Sequence, residues 1–591
     1  MTPDQDSAMN PQDRHSLTGR SIASGPGAGP RTTLVLAVVL ILGLLLVALP
    51  AALLGSLQIP HNDGWAYSRI AQTLADTGRI ELVGWNRPAL VGHVLLLVPG
   101  TFVGAVTGQH LIVLVLAATL LAATYDLVAG QHGWRWGVLA TATMACYPGL
   151  PLLATSTMTD VPAVAGSTAA LALGARGLHM REGSSAALLL LSAATLLGFW
   201  GLTVREQAIA APVAVLLVAL WTWRRSRSRG FWAAAGLLGG LAVATAAFEY
   251  WRRGLPGDDP PTLLTPHLGT LSFSLLSMLL ALGLVCLPLS IGPGWRAMQA
   301  RLGRPVASVV LLLGLFLPLL LNAAGRPTLV ENGYLDIRGA YRLTNPTPDV
   351  ADPSPFLWYA MAAGGALGLI LLTAVLLDTL VAVPRDPGTT ETLALVFLVL
   401  MAAVTVIQVI GGQAAFERYN LPLVPALAVL TAASWQRRSG PGRLRGLRAL
   451  TGLSLAVLAG FSALISLNAW AVDSARWRAA EDVALTGWPA TDIDPGMEWV
   501  GWHAEGVADQ DATEGPQDLT FWSAWFPKSR SCVIISDGPV AGTIPSGRTW
   551  SYRSFGFFGP REVLAQRING APACRRTADG RPAPAPPTGS G

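Results

Sequence analysis

The chain has 591 residues, of which 52% are hydrophobic and only 13% charged, with a formal net charge of +5. A mean hydropathy of +0.47 exceeds what one water-soluble core uses, which excludes a soluble globular protein and leaves a multi-pass membrane protein. The positive charge sits on arginines between apolar stretches, so it is better explained by loops facing anionic lipid than by a nucleic-acid partner.

Residues 1–32 are rich in Ser, Gly and Pro and carry Arg14, Arg20 and Arg31. They are expected to form a disordered cytoplasmic tail rather than a signal peptide. Crossing the hydrocarbon takes about 20 mostly apolar helical residues. Fourteen segments qualify: 34–54, 90–106, 111–128, 136–153, 161–178, 186–204, 208–223, 231–247, 271–291, 306–323, 356–383, 393–410, 421–435 and 450–469. Their polarity does not alternate as in a closed β-barrel, so helices are expected.

Excess arginine in short loops marks the cytoplasmic side. Three clusters qualify: Arg224, Arg225, Arg227 and Arg229; Arg296, Arg301 and Arg304; and Arg437, Arg438, Arg443, Arg445 and Arg448. Seven crossings before Arg224 would put that cluster outside, whereas six put it inside. The segment expected not to cross is 90–106, which is short, carries His93, and is bounded by Pro88 and by Pro99-Gly100. The alternative is a weak spanning helix with the parity error elsewhere.

The resulting fold class is an all-α polytopic membrane protein of about thirteen transmembrane helices, with a small α/β extracytoplasmic domain at its C-terminal end. The transmembrane domain covers 33–470, with external loops 56–89 and 324–355. Asp, Glu, Trp and Ser replace long Leu and Val runs in 471–575, which reads as the soluble domain, and 576–591 reads as disordered. Residues 532–536, Cys-Val-Ile-Ile-Ser, read as a buried strand. Cys532 and Cys574 share the oxidising side and are expected to form a disulfide. Cys146 and Cys286 lie in apolar helices, where a small apolar role is expected.

Ionisable groups kept at membrane depth mark function. His61-Asn62-Asp63-Gly64-Trp65-Ala66-Tyr67 follows the first span and places a carboxylate beside aromatic rings, with Arg69, Arg79, Arg87 and His93 nearby. Asp63 is therefore a candidate base. Asp160 opens a helix in Thr159-Asp160-Val161-Pro162, where its plainer role is capping. Arg205 and Glu206 fill a short break between spans. They either pair with each other or leave Arg205 as a fixed cation for phosphate oxygens, which guanidinium matches with two parallel hydrogen bonds. Arg418 repeats the arrangement, with snorkelling to the lipid surface as its alternative. The 325–355 loop holds Glu331, Asn332, Tyr334, Asp336, Arg338, Tyr341 and Arg342, a mixture suited to gripping a sugar. No phosphate-binding Gly-rich loop and no zinc-ligand spacing occur, so neither a metal nor a cofactor is expected.

The chain resembles the C-type-fold, polyprenyl-phosphate-dependent membrane glycosyltransferases, especially bacterial relatives of protein O-mannosyltransferases and lipid A aminoarabinose transferases. The resemblance rests on Asn62-Asp63-Gly64, on Thr159-Asp160-Val161-Pro162, on Arg418-Tyr419-Asn420-Leu421-Pro422, and on the tail segment running from Asp492 to His503 with Asp494, Gly496, Glu498 and Trp499. Members often carry two adjacent acids in the first loop; here Asn62 leaves Asp63 as the only acid of the pair.

The resemblance implies transfer of a hexose or pentose from a polyprenyl-phosphate sugar to an extracytoplasmic protein, lipid or glycan, with inversion. Asp63 is then the general base, Arg205 and Arg418 hold the phosphate, and Asp160 orients the acceptor or another residue. His93, Glu206, Tyr67 and Tyr334 complete the candidate substrate-binding set. Richness in Ala, Arg, Gly and Pro points to a high-GC bacterium and its plasma membrane, with mannose and arabinose both eligible. The rival reading is a transporter or flippase of a lipid-linked sugar. Transporters keep such charges near the midplane and show internal repeats, whereas here the charges collect at helix ends and no repeat is seen. A polymerase or ligase of surface polysaccharide would use a similar donor.

Overall fold

The computed structural model describes residues 30–84, 90–255, 268–323, 334–335, 355–382, 388–410, 416–438, 445–506, 526, 529, 531–556, 559–568 and 574. The helices are α1 (Pro30–Leu53), α2 (Gly64–Thr77), α3 (Val91–Thr101), α4 (Val106–His132), α5 (Trp134–Ala145), α6 (Leu150–Ala154), α7 (Asp160–His179), α8 (Ser185–Leu202), α9 (Ala210–Trp223) and α10 (Arg229–Arg252). They continue with α11 (Leu268–Leu302), α12 (Arg304–Ala323), α13 (Pro355–Ala382), α14 (Thr389–Ile410), α15 (Leu423–Arg438), α16 (Arg445–Ala484) and α17 (Met497–His503). Strands β1 (Ile493–Asp494), β2 (Val533–Ser536), β3 (Thr543–Arg553) and β4 (Pro560–Ile568) belong to the tail.

Among the described residues, nine helical runs are long and apolar enough to cross a membrane: α4, α7, α8, the run Glu206–Trp223 that ends in α9, α10, α11, α13, α14 and α16. The other expected crossings, 34–54, 136–153, 306–323 and 421–435, fall on α1, the α5–α6 pair, α12 and α15. Helix α3 has 11 residues, about 16 Å at 1.5 Å per residue, roughly half the hydrocarbon thickness. Segment 90–106 is thus too short to span. Serines cap two of the long helices: Ser184 Oγ accepts from the Ala187 amide and Ser228 Oγ from the Gly230 amide. Helices α11 and α13 meet backbone to backbone, because a Cβ on Gly283 would stand 2.1 Å from the Gly365 carbonyl oxygen. Close approach through small residues is how helices associate where lipid supplies no hydrophobic drive.

The bundle core is built of Leu, Ala and Val from α4, α7, α9, α14 and α15. The tail forms a four-stranded sheet in the order β1-β2-β4-β3, parallel between β1 and β2 and antiparallel elsewhere. Val533 and Ile535 of β2 alternate onto one face with Val563 and Ala565 of β4, and pack against Ala471, Val472, Ala475, Ala479, Ala480 and Val483 of α16. Helix α16 is 40 residues long, about 60 Å, so the composition boundary at 471 lies inside one unbroken helix that belongs to bundle and tail alike.

Cys532 and Cys574 are joined by a disulfide with Cα atoms 5.3 Å apart, while Cys146 and Cys286 are free thiols. Alkylation of denatured, non-reduced protein is expected to count two thiols, and four after reduction. Labelling of Cys532 and Cys574 without reductant would contradict the bond. The expected disorder of 1–32 lies outside the described residues except at 30–32, which are the helical start of α1, and that of 576–591 lies outside them, as does Arg87.

Candidate functional site

The chain leaves α1 through a short 3-10 turn, Ser56–Gln58, and enters α2 at Asp63. Asn62 adopts φ 51°, a left-handed conformation that Asn tolerates better than most residues. Asp63 stands at the helix N-cap but makes no side-chain cap bond, and its carboxylate is partly exposed. Hydroxyls staple this start to the segment before α7. Thr157 Oγ1 donates to the Gly64 carbonyl at 2.8 Å, and Ser68 Oγ lies 3.0 Å from Thr157 Oγ1.

That staple brings Asp63 to the start of α7, where Asp160 is 2% exposed. Asp160 Oδ1 meets Arg205 Nη1 at 3.0 Å and Arg418 Nε at 3.6 Å. Arg205 Nε also donates to Thr159 Oγ1 at 2.9 Å. The carboxylate of Asp160 therefore bridges two cations from distant sequence, in addition to lying in a first helical turn where the helix dipole favours an anion. Arg205 pairs with Asp160 and not with Glu206, which is exposed at the start of its 3-10 turn. Arg418, at 6% exposure, does not snorkel. Its guanidinium lies 4.6 Å from the Phe416 ring centroid, 5.4 Å from that of Tyr334 and 5.8 Å from that of Tyr419. Arg205 faces the same Tyr419 ring at 5.2 Å.

Tyr334 is buried over Arg418, and its amide donates to Glu417 Oε1. It reaches that position by packing on Gly149, where φ is +87° and a Cβ would come 2.6 Å from Tyr334 Cβ. The loop's other candidates, Glu331, Asn332, Asp336, Arg338, Tyr341 and Arg342, lie outside the described residues. Tyr67, one turn into α2, sits within reach of Asp63, Thr159, Asp160 and Arg205. His93 is a layer behind: its Nε2 donates to the Thr157 carbonyl at 2.7 Å and its ring meets Tyr67 edge-on at 5.8 Å.

The electrostatics keep the cations charged and the phenols protonated. Burial works against charge on Arg205 and Arg418, but Asp160 together with the other acidic neighbours outweighs it and holds both above the ordinary arginine value. Burial, reinforced by Asp63 and Asp160, pushes the Tyr67 hydroxyl up. Burial does the same at Tyr334, against the pull of Arg418. Two fixed guanidinium groups and two phenol donors thus converge beside one partly exposed carboxylate. Three contributors escaped the sequence reading as site residues: Tyr419 between the arginines, Glu417 on the Tyr334 amide, and Thr159 on Arg205. Each is adjacent to a residue that reading singled out, which was the available signal.

A second polar cluster underlies the loop. His61 Nδ1 donates to Asp473 Oδ2 at 3.0 Å, and its Nε2 lies 2.6 Å from Ser56 Oγ and 2.9 Å from the Ser56 carbonyl oxygen. Burial pulls the imidazole down, but the Asp473 hydrogen bond and charge, with Glu498, hold it above the usual 6.5. A raised histidine stabilises the fold fully below its unfolded pKa and loses that contribution as pH rises through the folded value. Thermal denaturation of purified protein is expected to shift downward above pH 6.5, and the shift is expected to flatten in His61→Gln. Parallel pH curves for both proteins would remove His61 from the linkage.

Fold and site together define a polytopic α-helical membrane protein with an arginine-clamped carboxylate site beside a small α/β domain. Among solved structures the chain is similar to ArnT from Cupriavidus metallidurans bound to undecaprenyl phosphate, at 13% identity and a TM-score of 0.42, over 89% of this chain and 98% of that one. It is also similar to the archaeal oligosaccharyltransferase AglB from Archaeoglobus fulgidus in complex with an inhibitory peptide and a dolichol-phosphate, at 14% identity and a TM-score of 0.39, over 84% of this chain and 69% of that one. No protein-family model and no curated protein matches the chain.

Proposed function

We propose that this protein is an integral-membrane glycosyltransferase that moves a hexose or pentose from a polyprenyl-phosphate donor to an extracytoplasmic acceptor, with inversion. The observation that carries the reading is the convergence of Asp63 with the Arg205–Asp160–Arg418 bridge. A phosphate-linked sugar already has a good leaving group, so the site needs to take a proton and hold a departing phosphate. Asp63 removes the acceptor hydroxyl proton as the oxygen bonds to the anomeric carbon. The bond from that carbon to the phosphate oxygen breaks, its electron pair leaves with the polyprenyl phosphate, and Arg205 and Arg418 receive the charge. Asp160 keeps the two guanidinium groups aimed at one place. Tyr67 and Tyr334, protonated, donate to sugar or phosphate oxygens.

The helix ends support an orientation. Arg205 precedes the run Glu206–Trp223, and Arg224 follows it. Arg418 precedes α15, and Arg437 and Arg438 end it. Site and arginine clusters therefore occupy opposite ends of the same helices. If arginine-rich loops face the cytoplasm, the site and tail face outward, in the plasma membrane of a bacterium.

The test is purified protein in lipid nanodiscs with radiolabelled polyprenyl-phosphate mannose and arabinose and an acceptor-containing membrane extract. Label on a new acceptor, with the anomeric configuration opposite to that of the donor, is the expected result. Transfer from neither sugar, together with movement of donor across proteoliposome membranes, would contradict transfer and favour transport.

A further inference from the structure

The tail segment from Asp492 to His503 is not absorbed by the site itself, although the sequence singles it out. Its Glu498, near the start of α17, has its side chain only 12% exposed and lies beneath the 61–63 loop. Glu498 Oε1 accepts from the Asn62 amide at 3.3 Å, while Oε2 faces Arg476 Nη2 at 3.6 Å. Arg476 Nη2 also lies 3.7 Å from Asp473 Oδ1, and Asp473 holds His61 on its other oxygen. The two acids and two bases form a closed, nearly buried set that joins α16, α17 and the loop.

A second contact runs in parallel. Arg69 Nη1 donates to the Gly501 carbonyl at 2.7 Å, and the buried Trp65 meets the Phe526 ring edge-on at 5.5 Å. Trp65 and Ala66 share an apolar cluster with Met497, Val500 and Ala504. Residues on both sides of Asp63 are therefore gripped by the tail, and the amide N–H of the residue before it is held by a carboxylate. Asn62 stands at φ 51°, a left-handed conformation that Asn adopts at smaller cost than most non-glycine residues, and the Glu498 carboxylate holds its amide there.

We propose that Glu498 is a positioning residue for Asp63, and that the tail, through Glu498, Arg476, Asp473 and His61, sets the geometry of the base. This rests on the reading of Asp63 as the base. The tail's role is then not confined to meeting an acceptor: without the latch, the loop keeps its sequence but loses its aim. A misplacement of about 1 Å can cost about a hundredfold in rate, so one hydrogen bond to the loop has a large effect on turnover. Binding of the lipid-linked donor, which falls to Arg205 and Arg418, is left unchanged.

The test uses full-length protein carrying Glu498→Ala or Glu498→Gln. Hydrogen exchange is read at Asn62 and across β2 and β4, and transfer is measured for kcat and donor KM. In Glu498→Ala the Asn62 amide is expected to exchange about tenfold faster or more, with β2 and β4 still protected. Its kcat is expected to fall about tenfold to a hundredfold with donor KM nearly constant. Glu498→Gln keeps a carbonyl oxygen for the Asn62 amide and is expected to restore most of the turnover. Should the alanine variant lose β2 and β4 protection, Asp473→Asn, acting one step removed through His61, replaces it with the same expectations at smaller size. Unchanged exchange at Asn62, or faster exchange with wild-type turnover, overturns the proposal alone. Wild-type protein that transfers no sugar overturns the transferase reading, and this proposal with it.

Discussion

Replacing Asp160 with leucine is expected to destabilise the protein by about 3–5 kcal/mol, the usual cost of removing one partner from a buried ion pair. Asp160 is almost wholly enclosed and answers two guanidinium groups with one oxygen. Without it Arg205 and Arg418 lose the buried counter-charge that offsets their mutual repulsion. Asp160→Asn keeps an oxygen acceptor and loses the charge, so it is expected to fall between wild type and leucine. Thermal denaturation in detergent gives the ranking. A leucine variant as stable as wild type would mean that the bridge is not formed. The same series is expected to weaken protection by added polyprenyl phosphate, because the clamp loses its alignment along with its stability.

Asp63→Asn is expected to act chiefly on chemistry. The side chain makes no cap bond and is partly exposed, and an amide of the same shape keeps its volume while losing the charge that acts on Arg418. The loss of a general base lowers turnover by about 10²- to 10⁴-fold. Because the phosphate contacts belong to Arg205 and Arg418, donor KM is expected to stay near the wild-type value, the pattern of an interaction made only on the way to the transition state. A large rise in donor KM with unchanged kcat would make Asp63 a binding group and not a base.

Much of this site was legible because membrane proteins keep few charges. Asp63, Asp160, Arg205 and Arg418 stand out as ionisable groups at the ends of apolar runs, and the structure brings all four together. The shortness of 90–106 likewise agrees with the 11-residue α3, although Pro99, expected to bound the segment, lies inside that helix and Pro88 lies outside the described residues. What stayed hidden depends on contacts between distant segments. Nothing local in 494–503 says that Glu498 reaches the amide of Asn62, 436 residues away, and nothing near Glu206 says that Arg205 prefers Asp160. Tyr419 is read as part of a helix start until the two arginines are seen on its ring. The boundary at 471 follows a change in composition, but composition records a change of surroundings, and α16 carries one backbone from lipid into the tail without a break.

The most direct single measurement is transfer of label from polyprenyl-phosphate sugars in membranes containing wild-type protein or Asp63→Asn, at matched expression. Label is expected on an acceptor with wild type, and near-background transfer with Asp63→Asn. Equal transfer by both proteins would remove Asp63 from the chemistry and contradict its role as the base.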